Sequence, residues 1–187
     1  MSMENMSDEL IVRQCSPTLA GLKTGNMFSA EFESKAGTIE TIRSLNLRLA
    51  PYGLCMIPLR FMEKRVLVYM YSPKRLSEDL ERPQVRELLR GLGYDLSSAG
   101  GCIARLRRRM GDGGDFPHEV GLFLGYPAED VRGFIENRAA GCKCLGCWKV
   151  YGDVNAAKMR FASFEKCTRD NCGRLRRGCT LEQLISQ

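Results

Sequence analysis

The sequence predicts an α+β fold: a small, mostly antiparallel sheet, built on a central hairpin with one or two further strands, among six to eight helices. Three observations predict it. LCMIPLR (54–60) and RVLVYMY (65–71) are rich in β-formers and flank a short connection, as in a hairpin. Several longer segments carry apolar residues at helical spacing. Proline, glycine and capping residues punctuate the chain between them. At 187 residues, 44% apolar and 27% charged, the composition is that of a globular domain able to bury a core.

In chain order, Ser7-Asp8-Glu9 reads as a cap and acidic first turn of a short helix. Cys15-Ser16-Pro17-Thr18 reads as a second start, with Ser16 as N-cap and Pro17 in the first turn, running to about Lys23. Phe28, Ala30 and Phe32 alternate as a strand does. Ile39, Ile42, Leu45 and Leu49 form one stripe of a helix over 38–49, ended at Pro51-Tyr52-Gly53. Both hairpin strands are apolar on both faces, so helices are expected against them. Pro58 cannot donate to a ladder, which places its strand at an edge or bulge.

Helices are expected over 73–91 and 97–110, the second facing inward through Ile103, Leu106 and Met110. Gly111-Asp112-Gly113-Gly114 reads as a hinge. Pro117–Leu124 and Pro127–Asn137 read as two helices broken at Gly125-Tyr126. Cys147–Tyr151 reads as a strand, and Asp153 as the cap of a helix facing inward through Val154, Ala157, Phe161 and Phe164. The whole reads as one domain, 1–187. A helix and hairpin part covers 1–112, and a basic, cysteine-rich part covers 115–187.

No run of eighteen apolar residues exists, and MSMENMSDEL has neither a basic nor an apolar signal region, so a cytoplasmic protein with no membrane partner is expected. Nine cysteines, an odd number, then point to reduced thiols rather than a disulfide framework. The charge is uneven. Residues 1–137 carry 18 basic against 18 acidic side chains; residues 138–187 carry 10 against 4 and account for the net +6. Six of the nine cysteines share that basic segment.

CSPTLAGLKTGNMFS (15–29), FPHEVGLFLGYPAEDVRGFIEN (116–137) and CWKVYGD (147–153) together resemble a bacterial family known only as a domain of unknown function (number three-seven-nine-three). The resemblance implies a small, free-standing cytoplasmic protein of an anaerobe and implies no activity. Two positions depart from the family pattern: Gln14 stands where histidine is frequent, and Cys147 where an aromatic residue is.

Four constellations carry candidate chemistry. In GCKCLGC, an extended backbone puts Cys142 and Cys144 on one face about 6.6 Å apart. Cys147 returns as a third ligand if Leu145-Gly146 turns. Zinc or iron would then need a fourth ligand, from Cys167, Cys172 or His118. This metal or thiol-redox site is the leading reading. Against it, Cys167 and Cys172 are five positions apart, about 140° around a helix, and a single irregular knuckle has no partner.

Cys15, placed just before a helix start, would have a lowered pKa as a nucleophile. His118, the only histidine, would be its base in an alternative, enzymatic reading. The same helix start, with Ser16, Thr18 and Lys23, would suit an anion, although no phosphate-loop motif is present. Finally, Arg105, Arg107, Arg108 and Arg109 lie largely opposite an apolar stripe. They give a third reading, a module for nucleic acid or an acidic partner, set against the ordinary one of a solvated helix face.

Overall fold

The structure, a computed structural model, describes residues 6–111, 116–138 and 140–185. Apart from Gly111, the expected hinge at 111–114 lies outside them. The chain forms two compact units, 1–73 with 166–187, and 74–165.

The first unit begins with α1 (Asp8–Leu19), capped by Ser7, whose Oγ accepts from the Leu10 N–H. The two short helices expected here are one. Pro17 lies inside it and deprives one turn of its bond, a cost of about 3 kcal/mol in a helix interior. The face Ile11, Cys15 and Leu19 is fully buried and unbroken across the Ser-Pro pair. At about 1.5–3 kcal/mol for each large apolar side chain buried, that face and its neighbours Leu10 and Val12 outweigh the proline. Ser16 does not cap; its hydroxyl donates to the Val12 carbonyl at 2.6 Å.

Three strands follow: β1 (Gly25–Glu31), β2 (Cys55–Phe61) and β3 (Arg65–Tyr71). They form an antiparallel sheet in the order β1-β3-β2, so the hairpin supplies both the centre and one edge. Pro58 sits on the edge strand beside a register shift, as its missing N–H requires. Gly25 pairs with Tyr71, and a Cβ there would collide with the ring of Tyr69, so that ring dictates glycine.

Helix α2 (Lys35–Leu49) connects β1 to β2. Its buried stripe is Thr38, Ile42, Leu45 and Leu49; Ile39, expected inward, is 40% exposed. Together α1, α2 and one sheet face enclose the core, with Phe28, Met56, Val66, Val68 and Met70 from the strands. Leu181, Leu184 and Ile185 join it from the chain's end. Arg48 ties the same elements together, bonding both oxygens of Asp8 and Oε1 of Glu182.

The second unit is mostly helical. The single helix expected over 73–91 is two, α3 (Pro73–Leu80) and α4 (Pro83–Gly91). The break falls where Pro83 pushes Arg82 into extended backbone and starts a new helix at its first position. Helix α5 (Ala99–Gly111) buries Cys102, Ile103, Leu106 and Met110. Helix α6 (Val120–Phe123) is a single turn; Pro117 and His118 precede it rather than open it. Helix α7 (Ala128–Asn137) follows a turn at Gly125, whose φ is 76°.

The hairpin β4 (Cys144–Leu145) and β5 (Lys149–Val150) comes next. Then α8 (Val154–Arg176), capped by Asp153 through the Asn155 and Ala156 N–H groups, carries the chain from this unit into the other. Trp148, Val150, Ala157 and Phe164 form a small core, with Tyr126, Cys144 and Phe161 against it. Glu119, 2% exposed, is held by the Tyr94 hydroxyl and by Nε of Arg109.

Candidate functional site

The second unit holds a largely apolar cavity of about 290 Å³ between the residues before α6, the face of α7 and the β4–β5 turn. Its position follows from one buried carboxylate. Asp130, in the first turn of α7 and 3% exposed, accepts from the Trp148 indole N–H at 2.7 Å. It also accepts from the backbone N–H groups of Tyr151 at 2.7 Å and Gly152 at 2.8 Å. Three donors satisfy a charge that burial alone would make costly. They also fix the segment that carries Trp148 and Lys149 against α7. Gly133 and Gly152 permit the approach, since a Cβ on either would meet Tyr151 or Glu129.

The cavity lining is aromatic. Tyr126 stacks on Trp148 with ring centroids 4.6 Å apart. The His118 ring meets Phe134 edge-on at 4.7 Å, and Lys149 Nζ lies 5.5 Å from the centroid of the same ring. Cys147 lines the cavity too, at the tip of the β4–β5 turn, and is the one exposed cysteine of the nine. The Tyr126 hydroxyl donates to the Cys147 carbonyl at 3.3 Å. Burial, and then the nearby Cys147 sulfur, push the Tyr126 phenol up to about 12.

Among the predicted site residues, the structure thus brings His118 and Cys147 to one cavity. The others are placed differently. The three-cysteine knuckle does not form: Cys144 turns onto the Trp148 and Phe164 core, while Cys147 faces the cavity. Cys142 is half-buried ahead of β4. Among the described residues, no three His, Cys, Asp or Glu side chains stand together so as to hold a metal ion. Cys167 and Cys172 belong to the first unit. The Cys167 thiol lies 3.5 Å from the Ser16 carbonyl, and burial raises its pKa. Cys172 packs on the first core.

Cys15 is not at a helix start. It sits in the middle of α1, fully buried, and desolvation raises its thiol pKa well above the ordinary value despite the opposing charge of Lys23. The anion site expected beside it loses its helix N-terminus for the same reason. Thr18 donates to Asn26 Oδ1 at 2.7 Å, and Lys23 is buried. The arginine run divides. Arg107 and Arg108 are exposed, whereas Arg109 leans in to Glu119. The Arg105 Nε is buried with no hydrogen-bond partner among the described residues.

Sequence reasoning did not single out Tyr126, Asp130, Phe134 or Trp148 as site residues. Trp148 and Phe134 read as ordinary apolar positions of a strand and a helix. The available signal was the clustering of Phe116, His118, Tyr126 and Phe134 within one short stretch, with the only tryptophan beside a cysteine and a lysine.

A family model described as "Protein of unknown function (DUF3793)" matches residues 11–185. No curated protein and no solved structure matches the chain.

Proposed function

The chain belongs to that family, whose description assigns no activity. From the cavity itself we propose that the second unit binds a small, flat, largely apolar molecule, with the Cys147 thiol in contact with it. One observation carries the reading: the single exposed cysteine and the single histidine of the chain line the same aromatic cavity. A concave, mainly apolar site with few polar groups is the usual form of a small-molecule pocket, and about 290 Å³ suits a ligand of roughly ring size. The thiol reading of the C-terminal cysteines is kept in a narrower form, with Cys147 alone as the working sulfur. A cysteine and histidine arrangement is kept as well, with Cys147 in the place first given to Cys15.

Trp148 is the only tryptophan, so its emission reports on this cavity directly. Titration with 2-phenylethanol, a neutral aromatic probe, is expected to change that emission saturably and to slow alkylation of Cys147 by iodoacetamide. Emission that saturates with neither this probe nor its acid analogue phenylacetate, with an alkylation rate indifferent to both, removes the reading.

A further inference from the structure

We infer that the ligand of this cavity carries an acidic group, so that its class is a small aromatic or flat apolar carboxylate; the inference rests on the pocket reading above. Two basic side chains, His118 and Lys149, border the ring of Phe134, at 4.7 Å between ring centroids and 5.5 Å from Nζ to centroid. They reach it from separate elements: His118 from the turn before α6, Lys149 from β5. Both line the cavity. Neither has a carboxylate partner among the described residues, whereas Arg48, Arg82, Arg86, Arg109 and Arg132 all do.

The one acid in the lining is Asp130, and its oxygens are already taken by the Trp148 indole and two backbone N–H groups. It orders the wall, and little of its accepting capacity is left for a donor on a ligand. The cavity therefore presents aromatic surface plus two basic groups to whatever enters. An ammonium with no carboxylate paired to it among the described residues, in a site of low polarity, favours an anion. A cationic ligand would have the same aromatic faces to use, but Lys149 already takes up the Phe134 face and would repel it. In the fit this implies, the ligand ring lies along Tyr126 and Trp148, and its carboxylate accepts from Lys149 Nζ and the His118 imidazole.

The test uses three probes of matched shape, read by Trp148 emission on the full chain: phenylacetate, 2-phenylethanol and 2-phenylethylamine. Phenylacetate is expected to bind roughly tenfold tighter than 2-phenylethanol, and the amine most weakly. Lys149→Met should bring phenylacetate down to the level of 2-phenylethanol while leaving the alcohol's affinity in place. His118→Gln should narrow the gap in part, and serves if the lysine variant fails to fold. Equal binding of acid and alcohol, or an acid preference that survives both substitutions, overturns the inference while leaving the pocket reading intact. Saturable binding by none of the three removes the pocket reading and this inference with it.

Discussion

The carboxylate of Asp130 and the indole of Trp148 are joined by a 2.7 Å hydrogen bond inside the second unit, across eighteen residues of sequence. The same carboxylate holds the two backbone N–H groups that follow β5. Removing it strands three buried or half-buried donors at once. Asp130→Ala is expected to destabilise the second unit by about 3 kcal/mol or more. Asp130→Asn keeps one acceptor oxygen and should lose about half as much. Urea unfolding followed by Trp148 emission measures both, and a red-shifted native emission should accompany the alanine variant as water reaches the indole.

Gly133 makes a separate test of the same contact. An added Cβ meets Cβ and Cγ of Tyr151, atoms at the root of the side chain that cannot swing aside. Gly133→Ala gains about 1 kcal/mol of helix propensity and loses about 1–3 kcal/mol to overpacking, so a net destabilisation is expected. Gly91, on α4, has nothing within 4 Å of its Cβ position. Gly91→Ala should therefore stabilise by up to about 1 kcal/mol. Opposite signs for two helical glycines in one unit are what urea titrations should return.

The acid end of the stability profile belongs to the first unit. Side-chain hydrogen bonding to Arg48 is the main cause that holds the Glu182 carboxyl at about 2, against an ordinary value of 4.5. A folded value below the unfolded one stabilises fully above 4.5, and that share is lost as pH falls from 4.5 toward 2. Arg48 is 37% and Glu182 27% exposed, so solvent screening leaves about 1 kcal/mol of it. Glu182→Gln should lower stability at neutral pH by about that amount and flatten the acid limb. Thermal melts by circular dichroism at pH 7, 4 and 2.5 resolve the difference.

Much of the fold is legible in the residues, because period-two and period-3.6 patterns report burial directly. The hairpin, the edge position of Pro58 and the inward faces of α5 and α8 follow from them. The errors have one origin, local chemistry weighed without tertiary burial. Ser16-Pro17 carries the signature of a helix start, yet the buried face from Ile11 to Leu19 runs through it. Placing Cys15 at that start made it a reactive thiol; placing it mid-helix makes it an inert one. The GCKCLGC spacing suits a metal knuckle only if its three sulfurs converge, and the β4–β5 register sends Cys144 and Cys147 to different surroundings. The cavity itself was out of reach of spacing arguments. It depends on Asp130 drawing residues 148–152 onto α7, a contact between two segments that each read as structural.

The nine thiols should separate sharply by reactivity. Alkylation needs both access and a thiolate. Cys147 has the access, at an exposed turn. Cys15 has neither, being fully enclosed in the first core with its ionisation suppressed by desolvation. Cys55, Cys102 and Cys167 are also shifted toward the thiol form, with burial the largest cause in each. Native protein treated with iodoacetamide and read by peptide mass spectrometry should therefore show Cys147 modified first and Cys15 last, the latter only on unfolding. Cys147→Ser should remove the fast phase and leave the slower ones unchanged. A fast phase at Cys15 would mean that α1 opens at Pro17 in solution, and the helix start that Ser16 and Pro17 suggest would then describe a populated state.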